Sequence, residues 1–86
     1  MGPIAKIVLQ MRSNARDVRF TDLCRVCDRY FGPARRRGSS HRIYKTPWSG
    51  DPRVNVQNDR GKAKAYQVKQ VLRAIDLLEV DHDGEE

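Results

Sequence analysis

No apolar run in this sequence approaches the roughly 20 residues that a membrane-spanning helix needs. The stretch Ile4–Met11 is short and broken by Lys6 and Gln10, so it does not read as the hydrophobic segment of an export signal either. The expected compartment is therefore the cytoplasm, with no membrane partner. Cysteine is scarce: Cys24 and Cys27 are the only two in 86 residues. They lie three apart inside a helical pattern and so on one helical face, where a pair of small core residues is the simpler reading. Half of a zinc site is the alternative, but its other ligands would have to be His41 and His82, both distant in sequence. Paired carboxylates are missing from residues 1–78 as well. Asp17, Asp22, Asp28, Asp51, Asp59 and Asp76 are scattered, with no D-x-D spacing, and two-metal nucleases need clustered carboxylates. No metal or other cofactor is expected.

What the chain has in excess is positive charge. Lys and Arg total 17 against 11 acids, a net charge of +6. Five of the acids (Glu79, Asp81, Asp83, Glu85, Glu86) sit at the C-terminus, leaving 17 bases against 6 acids in residues 1–78. Such an excess on a small body draws polyanions at long range. Arginine supplies 12 of the bases, and its planar fork suits phosphate. Nucleic acid is the first partner to consider; an acidic membrane surface is second, but no amphipathic anchor accompanies the charge. With 38% hydrophobic residues the chain is a folded domain with a charged surface rather than a disordered tail.

Ile4, Ile7, Val8 and Met11 recur at helical spacing and predict a short helix over Ile4–Arg12, marginal unless it docks. Ser13–Asp17 reads as a connection. Thr21 is the expected N-cap of a second helix, with Asp22 in its first turn; Leu23, Val26, Cys27 and Tyr30 form its stripe and Gly32-Pro33 stops it. The period then changes. Ala34–Arg37 is a short basic strand, turned at Gly38-Ser39-Ser40, and His41–Thr46 is a second strand closed by Pro47. Trp48–Pro52 has turn chemistry; Trp48 either closes the edge of the core or stacks on a base. Arg53–Gln57 alternates as a half-buried strand with Val54 and Val56 inward, and Asn58–Gly61 is a loop. Val68, Val71, Leu72, Ile75 and Leu78 mark a last amphipathic helix, roughly Lys64 to Leu78, before a loose acidic tail. The organisation is a helical extension over 1–19, one domain over 20–78 and a tail over 79–86. Its fold class is α+β: two helices on one face of a three-stranded antiparallel sheet, the other sheet face polar and open.

His41 is the residue most able to carry chemistry. It opens a strand after a Gly-Ser-Ser turn, with Arg35, Arg36 and Arg37 before it and Arg42 after it. Histidine titrates near neutral pH and so can act as a base there, and arginines hold a phosphodiester by charge-assisted hydrogen bonds. A base beside a held phosphate can deprotonate a ribose 2′-hydroxyl, whose oxyanion attacks the adjacent phosphorus; such help is worth roughly 10²–10⁴ in rate. The plainer alternative is that His41 only binds phosphate or caps a strand. His82 lies in the acidic tail, so a second proton-transfer role falls to Tyr44, Lys45, Ser39, Ser40 or water. A second constellation, Gly61-Lys62-Ala63-Lys64-Ala65-Tyr66, opens the last helix, where Lys62 and Lys64 either contact an RNA backbone or form an ordinary solvated helix start.

The stretch Phe31-Gly32, Gly38-Ser39-Ser40-His41-Arg42-Ile43-Tyr44-Lys45, Val54-Asn55-Val56, Gly61-Lys62, Val68 and Val71-Leu72 resembles the HicA toxins. The likeness covers roughly Phe20 to Leu78, and its most specific element is the Gly-Ser-(x)-His turn with an aromatic three residues on. The resemblance implies a double-stranded-RNA-binding-domain-like α-β-β-β-α sandwich with an added N-terminal helical segment. It further implies ribosome-independent, metal-independent cleavage of mRNA, single-stranded or structured, and neutralisation by a HicB-type antitoxin that covers the histidine. It places the catalytic histidine at His41 and the family's glycine at Gly38, with an additional serine in the turn. The RNA-binding set expected here is Gly38, Ser39, Ser40, Arg35, Arg36, Arg37, Arg42, Lys45, Lys62 and Lys64. Free of antitoxin, the chain is expected to be a monomer.

Two other classes fit the same residues. A non-catalytic RNA-binding module would use the same basic face and tolerate loss of His41. A protein-interaction domain would use its charge for an acidic partner and bind RNA weakly.

Overall fold

The computed structural model describes residues 2–38, 40–46 and 53–84. Helix α1 spans Pro3–Ser13, with proline in its first turn, where the missing N–H costs nothing. Helix α2 spans Phe20–Phe31 and ends at Gly32, whose positive φ of 83° is open to glycine without strain. Strands β1 (Arg36–Arg37), β2 (His41–Lys45) and β3 (Arg53–Asp59) pair antiparallel in that order, and a fourth short strand, β4 (Lys62–Ala63), joins β3 on its far side. Helix α3 spans Ala65–Gly84.

The α+β class, the two helices flanking the sheet and the three antiparallel strands match expectation; four details differ. Asn58–Gly61 is not an open loop. β3 runs to Asp59, and Arg60-Gly61 make a two-residue turn, both with positive φ (56° and 89°), while the Asn58 carboxamide oxygen accepts the Gly61 N–H at 2.6 Å. This is the primed turn whose twist suits a hairpin, and glycine in its second place is the reason it closes. Second, α2 begins at Phe20, not after a Thr21 cap. The Phe20 N–H donates to the Gly61 carbonyl at 3.0 Å and the Ala63 N–H donates to Val18 at 2.8 Å, so the chain enters the helix directly from a bridge with β4. Third, residues 1–19 are not an appendage. Ile7, Val8 and Met11 are buried against α2 and α3, and Val18 is fully buried. Fourth, α3 continues past Leu78 through the acidic residues, because the first residue after Leu78 that breaks a helix is Gly84. The expected Trp48–Pro52 turn, including the Trp48 reading, lies outside the described residues.

One core is formed. Leu23, Val26 and Cys27 from α2 and Val68, Val71 and Ile75 from α3 meet Tyr44, Val54 and Val56 from the sheet, with Leu72 and Tyr30 partly covered at its margin. Cys24 and Cys27 are both buried in this core and form no disulfide, and burial pushes the Cys27 thiol far above its ordinary range. At the surface, Arg12 on α1 binds Asp76 on α3 at 2.7 Å, and Lys62 on β4 binds Asp17 at 2.8 Å. No helix is long and apolar enough to cross a membrane among the described residues.

Candidate nucleic-acid interface

Strand residues alternate between the two faces of a sheet, and residues paired across antiparallel strands share a face. The register pairs Arg42 with Val56 and Tyr44 with Val54, and those positions face the helices. It pairs His41 with Gln57, Ile43 with Asn55 and Lys45 with Arg53, and those positions form the open face. His41 is exposed there at the first position of β2. Its carbonyl accepts the Gly38 N–H at 2.8 Å, and the neighbouring Ser40 carbonyl accepts the Asn58 N–H at 2.8 Å, so the turn before His41 is tied to β1 and to β3. A Cβ added at Gly38 would lie 3.4 Å from the His41 carbonyl oxygen, an ordinary contact.

This alternation separates residues that adjoin in sequence. Arg42, expected beside His41, belongs to the opposite face. Its guanidinium lies 5.8 Å from the Phe20 ring centroid and shares a hydrogen bond with the Tyr44 hydroxyl, which holds the arginine above its ordinary range. Tyr44 is buried; its hydroxyl donates to Asp28 Oδ1 at 3.0 Å and its ring sits 6.4 Å from that of Phe31. Burial pushes its titration upward, and its ring and hydroxyl are committed to the core. Tyr44 is thereby removed as the second proton-transfer group. Lys45 does share the open face with His41, but four residues along a strand place their backbones about 13 Å apart. Ser40 remains adjacent, and Ser39 lies outside the described residues. Arg35 is exposed, and its N–H donates to the Ile43 carbonyl at 2.7 Å. In backbone register Arg36 pairs with Ile43 and Arg37 with Arg42.

A larger basic surface arises from chain pairing. Because β2 begins where β3 ends, the Gly38–His41 turn and the Arg60-Gly61 turn lie at the same end of the sheet. The bridge between Arg19 and Lys62 adds the chain before α2 to that end. Arg16, Arg60, Lys62 and Lys64 line an open concavity there with Asp59 and Tyr66. From strand spacing, Lys62 stands about 12 Å from His41 across the open face. Lys62 is already bonded to Asp17, whose carboxyl is held below its ordinary range by that hydrogen bond first and by the same lysine's charge second. Both partners are exposed, and such pairs are weak enough for a phosphate to displace.

Thus the structure gathers His41, Ser40, Gly38, Lys62 and Lys64 at one end, leaves Lys45 farther along the face and turns Arg42 away. Sequence reading missed Arg16, Arg19 and Arg60. It also missed Gln67, which is 3% exposed: its Oε1 accepts the Gln57 N–H at 2.8 Å, satisfying a β3 donor beyond the reach of the short β4. A glutamine on the inner side of an apolar helical stripe was the available signal. No group of three or more His, Cys, Asp or Glu is gathered as metal ligands among the described residues. Comparison with known proteins returns no match, whether against family models, curated proteins or solved structures.

Proposed function

We propose that this chain is a HicA-type toxin: a metal-independent, ribosome-independent endoribonuclease that cleaves mRNA in the cytoplasm and is held inactive by a HicB-type antitoxin. The observation that carries this reading is the position of His41, exposed at the start of β2 on the helix-free face and at the sheet end that gathers the basic residues. The order of α2, three antiparallel strands, the short added strand β4 and α3 supports a double-stranded-RNA-binding-domain-like arrangement for residues 20–78.

In this mechanism the phosphodiester lies along the open face. His41 takes the proton of a ribose 2′-hydroxyl, the 2′-oxygen bonds to the adjacent phosphorus and the bond from phosphorus to the 5′-oxygen breaks. The leaving oxygen takes its proton from water or from the Ser40 hydroxyl, leaving a 2′,3′-cyclic phosphate. Lys62 and Lys64 act by holding the backbone. An antitoxin with an acidic face would inhibit by competing for the same surface.

A second reading, an RNA-binding module without catalysis, is favoured by one observation: neither Tyr44 nor Lys45 is placed to share a proton with His41. Cleavage of a defined RNA in excess EDTA, wild type beside His41→Ala, separates the two. Cleavage that is lost in the variant while RNA binding survives supports the enzyme. RNA bound but uncleaved by the wild type overturns it in favour of the module.

A further inference from the structure

We propose that the concavity where the β3–β4 turn meets α3 is a nucleotide subsite that stacks one unpaired base on Tyr66 while Arg16, Arg60 and Lys64 hold the neighbouring phosphates. The proposal rests on the RNA reading above and specifies its substrate as single-stranded at this position. Tyr66 is 58% exposed, the most exposed large apolar side chain among the described residues, and it stands in the wall of a recess otherwise lined mainly by cations. An aromatic face beside arginine and lysine is the composition with which proteins take up single-stranded nucleic acid, the ring for the base and the cations for the backbone. A base within a duplex offers no free face to such a ring.

The hydroxyl of this ring also has a partner. Gln67 Nε2 donates to the Tyr66 hydroxyl at 3.4 Å, while Gln67 Oε1 accepts the backbone N–H of Gln57, the residue paired with His41. Gln67 thereby ties the Tyr66 hydroxyl to β3 at the residue that stands across from His41. An RNA strand crossing the end of the sheet would meet the histidine and then the tyrosine. Asp59 is the one acid in the wall, and it sits opposite Lys62 in the hairpin, where it limits the charge without closing the recess.

The test uses the full chain and a short, labelled 2′-O-methyl RNA, which lacks the nucleophilic hydroxyl and reports binding alone. Dissociation constants are read by fluorescence anisotropy across a salt series. Tyr66→Ala should weaken binding roughly tenfold without changing the salt slope, as loss of one stacked base predicts. Tyr66→Phe, which keeps the ring and loses the hydrogen bond to Gln67, should bind like the wild type. Lys64→Gln and Arg60→Gln should each lower the salt slope by about one. On an abasic strand the wild type and Tyr66→Ala should bind alike, and the same RNA annealed into a duplex should bind wild type less tightly. Equal affinity of Tyr66→Ala and wild type for the single strand overturns the subsite while RNA binding stands. Absence of RNA binding by the wild type overturns the RNA reading and the subsite together.

Discussion

His41 and Arg42 adjoin in sequence, yet the sheet sends one to solvent and the other to the helices, and their substitution should separate function from stability. Arg42→Ala removes a cation lying 5.8 Å from the Phe20 ring centroid, worth about 0.5–1 kcal/mol at a partly exposed site. The Tyr44 hydroxyl beside it keeps its own bond to Asp28, so the hydroxyl is not stranded. The expected loss is about 0.5–1 kcal/mol, which for a domain of this size lowers the melting temperature by roughly 2–8 °C. His41→Ala changes an exposed side chain, so its effect on stability should stay within about 0.5 kcal/mol. Thermal unfolding followed by circular dichroism gives one readout, and RNA cleavage in EDTA at a temperature where both variants are folded gives the other. Arg42→Ala should be less stable and active, and His41→Ala stable and inactive. An Arg42→Ala protein that melts with the wild type but no longer cleaves would refute the assignment of these residues to opposite faces.

Three further perturbations read other parts of the argument. Gln67→Leu strands the Gln57 N–H beneath α3 and should cost about 1–3 kcal/mol, seen as a lower urea midpoint at unchanged slope. Arg60 holds a φ of 56° that suits asparagine or glycine better, so Arg60→Asn should stabilise the chain by about 0.5–1 kcal/mol while weakening RNA binding. Asp17 and Asp76 are both held below the ordinary carboxyl value of 3.8, chiefly by hydrogen bonds from Lys62 and Arg12. Their contribution is therefore complete above about pH 4 and disappears as pH falls through the folded-state values. The paired variant Asp17→Asn/Asp76→Asn should be less stable than wild type at pH 6, and the difference should shrink as the solution is acidified.

Much of the architecture was legible because the local signals were strong and agreed. The stripe of Leu23, Val26 and Cys27, the Gly32-Pro33 stop and the alternation around Val54 and Val56 each specify an element without help from the rest of the chain. Three features depended on contacts distant in sequence. The Phe20 start of α2 is set by the Gly61 carbonyl, β4 exists because Asn58 and Asp59 are there to pair with it, and α1 earns its stability from α2 and α3. Such tertiary terms override an N-cap preference or a marginal helix propensity.

The candidate site was legible in its residues and not in its grouping. Counting charges near His41 along the chain brought in Arg42 and Lys45, since neighbours in sequence look like neighbours in space. In a strand the nearest residue in sequence lies on the opposite face, and residues four apart are separated by about 13 Å. The groups that do stand near His41 come from other strands: Gln57 directly across from it, and the Arg60, Lys62 and Lys64 cluster beyond, brought close by two hairpin turns at one end of the sheet. On the proposed function, stability and recognition lie on opposite sides of the same strands. The helix-facing positions of β2 and β3 hold the core through Tyr44, Val54 and Val56, so the open positions His41, Asn55 and Gln57 can be substituted with little effect on that core. A sheet covered on one face only supplies this freedom, and it is why a residue as exposed as His41 can be specified by chemistry instead of packing.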